Sequence, residues 1–250
     1  MGIDQDSCAG AIRTVLERVT ATQRDPIASA AQLIVDALAA GGVVQAFGTG
    51  HSEALAMEIA GRAGGLVPTN RLALRDILIY GGETLDGVDS KIERDPAIAH
   101  RVYELANIQP ADIFVIASNS GGNGSTVELA LLAKSAGHRL IAFTSMEHTS
   151  QITSRHTSGK KLYELADVVI DNCAPFGDAL LSMPDGGTVC AVSSISSALA
   201  AQLMTAEVVA RQLAAGVVPP VYISANVPAG DEHNDKLEAL YAGRIRRGLG

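Results

Sequence analysis

Two polar turns carry the residues best suited to chemistry in this chain. The first is Gly48-Thr49-Gly50-His51-Ser52, and the second is Ser118-Asn119-Ser120-Gly121-Gly122-Asn123-Gly124-Ser125. Each follows an apolar run and opens into a helical pattern, which is where open α/β sheets bind ligands. Glycine lets backbone amides approach an anion closely, and the unpaired N–H groups at a helix start favour negative charge. Gly50, Ser52, Ser118, Asn119, Ser120, Gly121, Asn123 and Ser125 are therefore candidates for holding a phosphate or the polar groups of the molecule that carries it. Structural uses compete at two points. Gly48 and Gly50 suit a tight strand-to-helix turn, and Ser125 with Glu128 three residues on fits a capping box. A P-loop is excluded because Gly-Lys-Ser/Thr occurs nowhere, and Gly48-x-Gly50-x-x-Glu53 lacks the third glycine of a dinucleotide fingerprint, leaving only Arg71 in favour of NADP.

General acid–base chemistry needs a positioned base and a partner that moves protons, tasks suited to glutamate and histidine. His51 lies inside the first turn. Glu53 and Glu58 lie on the helix that leaves it, with Arg62 four residues after Glu58 as a ready intrahelical ion-pair partner. His233 lies in Pro228-Ala229-Gly230-Asp231-Glu232-His233-Asn234, where Asp231 would cap a helix and the histidine has no such duty. Glu58, His51 and His233 are the catalytic candidates on these grounds. His148, Arg155, His156 and Lys160 share a polar connector aimed at the same rim, while Glu83 and Glu93 read individually as surface charges in a mixed middle segment. No His/Asp/Glu grouping has a metal-ligand spacing such as HExxH, so neither a metal nor a cofactor is expected.

The elements that must position these turns alternate along the chain. Apolar residues at helical spacing fill 7–40, with Asp25 before Pro26 as a helix start, and Gly41 and Gly42 close that region. Apolar runs of strand length follow at 43–47, 66–68, 112–117, 139–144 and 168–171, separated by helical patterns at 52–63, 96–106, 126–136 and 161–166. Asp95 would cap the second of these helices and Gly137 would stop the third. A loop at 172–187, a long helix at 188–215, an apolar run at 217–224 and a charged helix from about 232 complete the chain. Five short runs interleaved with helices predict a mostly parallel, doubly wound sheet covered on both faces.

Composition sets the remaining bounds. At 250 residues and 47% apolar content the chain can bury one large core, so a single domain is expected over 1–250, with an N-terminal helical region to about 40 and a C-terminal helical extension from about 225. The formal charge of −8 disfavours a nucleic-acid partner, whose phosphates demand a basic surface. Cys8, Cys173 and Cys190 are odd in number and far apart, which suggests neither a disulfide framework nor a zinc site and makes a reducing cytoplasm the default. No apolar stretch reaches the length of a membrane span and Asp4 and Asp6 stand where a signal peptide would be basic, so no membrane association is expected.

The two turns together, Gly48-Thr49-Gly50-His51-Ser52 and Ser118-Asn119-Ser120-Gly121, resemble those of the SIS (sugar isomerase) domain family, and Leu162-Tyr163-Glu164-Leu165-Ala166-Asp167-Val168-Val169-Ile170 is similar to the family's helix and final strand. The similarity spans roughly residues 30–215 and looks closest to the phosphoheptose isomerase-like branch. It implies a three-layer α-β-α sandwich around a five-stranded, mostly parallel, flavodoxin- or Rossmann-like sheet, and a phosphorylated sugar held by Ser52, Ser118, Asn119 and Ser120. It also implies a homodimer or homotetramer with sites near subunit interfaces. Asn123 stands where relatives carry Ser or Thr, and Arg62 stands where phosphoheptose isomerase-like relatives carry a glutamate. An aldose–ketose isomerase, a non-catalytic sugar-phosphate sensor and an etherase or lyase acting on a phosphorylated amino sugar all fit this resemblance.

Overall fold

The computed structural model describes residues 2–82, 84 and 91–247. Five parallel strands form its sheet: β1 (Val44–Gly48), β2 (Thr69–Leu72), β3 (Ile113–Ala117), β4 (Arg139–Thr144) and β5 (Val168–Asp171), in the order β2-β1-β3-β4-β5. Alternation within each strand divides the core in two. On one face Val44, Ala46, Ile113, Val115 and Phe143 pack against α1 (Gln5–Thr22), α2 (Arg24–Ala39), α3 (Glu53–Ile59) and α9 (Ser193–Ala214). On the other, Phe47, Phe114, Ile116 and Leu140 pack against α4 (Asp76–Ile79), α5 (Ala97–Leu105), α6 (Gly124–Ser135) and α8 (Leu162–Leu165). The outcome is the expected three-layer sandwich, its strands buried because helices cover both faces.

From β1 the chain winds outward to β2, then returns past β1 and winds the other way through β3, β4 and β5. The reversal creates a switch point between the carboxyl ends of β1 and β3, where Gly48 stands directly opposite Ala117 in register. Both glycine turns leave the sheet at that point.

Several boundaries differ from the sequence expectation. The second strand is Thr69–Leu72, and Leu66 instead makes an isolated antiparallel bridge with Val221, so the apolar run at 217–224 lies along the chain leading into β2 without becoming a strand. Residues expected to start the long helix form β7 (Thr188–Ala191), which pairs antiparallel with β6 (Ala179–Ser182) in a separate hairpin. Asp178 then accepts hydrogen bonds from Val192 N at 3.2 Å and Ser193 N at 2.7 Å, and so starts α9 later than the apolar pattern alone suggests. Asp25 sits within the first turn of α2, for which Gln23 is the cap position.

The cysteine reading is corrected as well. Cys8 on α1 and Cys190 on β7 form a disulfide with Cα atoms 6.1 Å apart, a pairing invisible in spacing because the fold brings together residues 182 apart. Cys173 is free and buried, and burial, reinforced by nearby Asp171, pushes its thiol pKa up.

Residues 244–247, which follow α10 (Gly230–Ala239), close the amino end of the sheet, while α7 (Met146–Gln151) follows β4 at the opposite rim. There Asp112 is fully enclosed, accepting from Val43 N at 2.9 Å, Gln45 Nε2 at 2.8 Å, Gln109 N at 3.0 Å and Arg244 at 2.5 Å. Gln45 in turn accepts from Asn70 Nδ2 at 3.0 Å, and Asn70 accepts from Arg246 N at 2.9 Å. Arg247 reaches the carbonyls of Val67 and Thr69 at 2.8 and 2.9 Å. Residues 244–247 therefore strap the edge strand to the strands inside it.

Candidate functional site

The first turn is a 3-10 segment, Gly50–Ser52, between β1 and α3. A Cβ on Gly48 would lie 2.2 Å from the Ser52 carbonyl oxygen, so only glycine lets the chain fold back this sharply at the strand's end. The second turn is fixed from inside. Ser118 Oγ accepts from Gly121 N at 3.1 Å, and the Asn119 carbonyl accepts from Ser145 N at 3.3 Å and Thr144 Oγ1 at 3.2 Å. Asn119 Oδ1 accepts from Asn172 Nδ2 at 3.0 Å.

Two clefts open on this rim. The first lies between the turns and the start of α9; His51, Ser52, Ser118, Asn119, Asn172 and Ser194 are among its walls. The second lies between the second turn and the connector after β4, with Ser120, Asn123, His148, Thr153 and Arg155 among its walls. A larger groove between α1, α2 and α9 has Val19, Ile27, Leu203 and Ala206 among its walls and touches neither turn.

The candidate residues divide by what their polar atoms already do. His51, Ser52 and Ser120 have side chains without a hydrogen-bond partner among the described residues, Asn119 keeps its Nδ2 donor, and Ser118 keeps its hydroxyl hydrogen. His51, Ser52, Ser118 and Asn119 share the first cleft beside the switch point, and Ser120 lines the second, with Gly50 and Gly121 in the backbone of the turns. Two others belong to the supporting frame. Ser125 is fully buried and donates to the Glu93 carbonyl at 2.7 Å, and Asn123 donates to Glu93 Oε1 at 3.0 Å while accepting from Arg155 at 2.9 Å. Ser125 does not form the capping box either, because it lies inside α6, whose cap position is Asn123, and Glu128 accepts from His100 at 2.8 Å and from His156 at 2.7 Å. That pair of histidines ties the polar connector to α5 and α6, which is why His156 is buried.

The catalytic candidates separate more sharply. Glu58 forms an ion pair with Arg62 and accepts from Gln202 Nε2 at 2.6 Å, facing α9 rather than the first cleft. His233 sits on α10 with Nε2 3.0 Å from the Val221 carbonyl, on the amino-end side of the sheet, so within this chain it is remote from both turns. A proline–glycine turn says nothing about which rim it will reach, and the strap carries this one to the far rim. Glu53 is paired with Arg75 at 2.7 Å, and His148 accepts from Gly177 N at 3.1 Å while stacking on Phe176. Glu83 lies outside the described residues.

Sequence reading missed Asn172, Ser194 and Ser197 as cleft residues. Their signal is the serine-rich stretch Ser193-Ser194-Ile195-Ser196-Ser197, which an apolar helical pattern absorbed. It also left Glu93 as a surface charge, although the fold sets it between the two turns. Among the described residues no group of three or more His, Cys, Asp or Glu side chains could hold a metal, and no helix is long and apolar enough to cross a membrane.

Comparison with known proteins places this architecture. The model of the SIS domain family matches residues 9–145. A UPF0309 protein of Listeria monocytogenes is 41% identical over 234 residues, which cover 93% of this chain and 95% of that protein. Among solved structures, phosphoheptose isomerase from Neisseria gonorrhoeae superposes with a TM-score of 0.53 at 20% identity, covering 81% of this chain and 94% of its own. The Vibrio vulnificus NanR protein complexed with ManNAc-6P superposes with a TM-score of 0.51 at 14% identity, covering 99% of this chain and 72% of its own. At these identities the structural likeness speaks for the fold.

Proposed function

The chain belongs to the SIS domain family, and from that premise we propose that it binds a phosphorylated sugar across the β1/β3 switch point and interconverts its aldose and ketose forms. The observation that carries the binding half is the set of donors left unengaged there among the described residues: the hydroxyls of Ser52, Ser118 and Ser120 and the Asn119 amide. A buried or half-buried donor without a protein partner costs stability unless a ligand or water meets it. Hydroxyls and amides suit a phosphate because each hydrogen bond to a charged oxygen is worth about twice a neutral one. The structural neighbour complexed with ManNAc-6P supports the same ligand class for this chain.

Isothermal titration against a panel of aldose and ketose phosphates of five to seven carbons, with and without an acetamido group, tests the binding. Ser118→Ala removes one hydrogen bond to a charged group, so affinity should fall by about 1.5–3 kcal/mol, or roughly 10- to 150-fold. Ser125→Ala should leave affinity unchanged, since that hydroxyl is committed to Glu93. Equal effects of the two substitutions, or no binding by any panel member, would remove the site from the switch point. A non-catalytic sensor is the second reading, favoured by the engagement of Glu58 with Arg62 and Gln202. Binding without interconversion of any panel member would select it.

A further inference from the structure

Resting on the phosphosugar reading above, we infer that Glu93 is the carboxylate that faces the ligand and the base that takes its carbon-bound proton. Glu93 lies in the 3-10 turn Ile92–Arg94, which packs against the start of α6. A Cβ on Gly124 would meet the Arg94 carbonyl oxygen at 2.1 Å, so glycine at that position is what admits the turn. Glu93 is thereby pinned twice: its carbonyl accepts from the Ser125 hydroxyl at 2.7 Å and its Oε1 accepts from Asn123 at 3.0 Å.

The other carboxylate oxygen is differently placed. Oε2 lies 3.6 Å from where a Cβ on Gly50 would stand, at the seam between the two glycine turns, and accepts no hydrogen bond from the described residues. One oxygen fixed and one open is the arrangement a general base needs. The glutamates that the sequence places on α3 and α6 lack it: Glu53 is held by Arg75, Glu58 by Arg62 and Gln202, and Glu128 by two histidines. A carboxylate beside Gly50 also repels a phosphate there, which directs the phosphate toward the hydroxyls of the second turn and leaves the carbon skeleton facing Glu93.

The step balances without any co-reactant. Glu93 takes the proton from C2 of an open-chain aldose, and the C–H electron pair becomes the C1–C2 double bond while the carbonyl pair moves onto O1. O1 is protonated to give the enediol. The carboxyl then returns its proton to C1 as O2 gives one up, leaving the ketose. His51, which lines the first cleft with its ring unengaged by the described residues, is the group placed to carry the proton between the oxygens.

Glu93→Gln keeps an acceptor for Asn123 and removes the base. The panel member that wild type binds most tightly is incubated with each protein in heavy water, and loss of the C–H signal next to the carbonyl is followed by NMR. Wild type should exchange, and Glu93→Gln should exchange slower by on the order of 10²-fold or more with Kd within about threefold. Glu93→Asp, which retains a carboxylate on a shorter stem, should recover part of the rate, and it carries the test if the glutamine variant does not fold. Wild-type exchange rates in both variants, or a wild type that binds the sugar phosphate and exchanges nothing, would overturn the role of Glu93 while leaving the binding reading intact. Absence of binding by wild type to every panel member would overturn the binding reading itself.

Discussion

Replacing Asp112 with alanine takes the shared acceptor away from four donors at once: two backbone N–H groups, the Gln45 amide and the Arg244 guanidinium. The carboxylate is fully enclosed, whereas Arg244 is 24% exposed. Breaking a buried ion pair from one side costs about 3–5 kcal/mol. Each orphaned donor adds about 1–3 kcal/mol where water cannot follow. Arg244 can turn partly to solvent and water can enter the space the carboxylate leaves, so the lower range, about 3–5 kcal/mol in total, is the expected loss. For a chain of this length that corresponds to a melting temperature lower by roughly 6–20 °C. Asp112→Asn should be only a partial remedy, because an amide must turn Nδ2 either toward Val43 N and Arg244, which share Oδ1, or toward Gln45 Nε2 and Gln109 N, which share Oδ2, and all four are donors. Flipping Gln45 to compensate would put its amide against the Asn70 amide, and flipping Asn70 would face the Arg246 N–H. Polarity thus runs in one direction from Arg246 to Asp112, and no rotation of amides repairs it. Urea unfolding measures the loss as a lower midpoint at unchanged slope. A loss below about 1 kcal/mol for Asp112→Ala, or an asparagine variant as stable as wild type, would refute the network. Sugar-phosphate affinity should survive both substitutions, since the network lies at the amino end of the sheet.

Acid stability should depend on Asp167. Desolvation raises its pKa, but hydrogen bonds from Lys134, Leu140 N and Arg139 outweigh this and hold it below 3.8, so its contribution is present above that pH and is lost as pH falls through the lowered folded value. Asp167→Asn should therefore flatten the stability profile below about pH 4 in urea titrations, and an unchanged profile would exclude this source. The disulfide gives a chemical count: unfolded without reductant, the protein should present one titratable thiol, Cys173, and three after reduction. In the chain-entropy model, closing a loop between residues 182 apart contributes roughly 5 kcal/mol, so reductant should lower the melting temperature markedly; three thiols before reduction would rule the bond out.

What could be read from sequence followed from local physics. Apolar runs of strand length alternating with helical periodicity identified the parallel sheet, and Gly137, in the left-handed region at φ 88°, ended α6 where a glycine stop was expected. Where a residue's fate depends on a distant partner, the pattern misled. Leu66 and Val221 are each apolar enough for a strand, yet they make a single bridge, held by backbone hydrogen bonds between 64–67 and 220–222. Thr188 to Ala191 have no helix breaker before α9, and only pairing with Ala179 to Ser182 makes them a strand. Cys8 and Cys190 likewise become neighbours only through the packing of α1 against the hairpin.

The site shows the same division at finer scale. A glycine-rich turn after a strand announces itself because its backbone conformation, its donors and its place at a strand end are all local properties, and Gly48 and Ser118 needed nothing else. A catalytic carboxylate is defined instead by what surrounds it. Glu58 has the more suggestive address, on the helix leaving the first turn, but an arginine one turn later and Gln202 across the interface engage its carboxylate. Glu93 has the less suggestive address, in a charged segment without clear periodicity, and is distinguished only when the fold lays that segment against Asn123, Ser125 and Gly50. The two glutamates differ less in chemistry than in how many of their lone pairs the protein has already filled, and that quantity exists only in three dimensions. A base sought in a protein of this fold is better found by locating the open carboxylate oxygen at the switch point than by counting residues along the helix that leaves it.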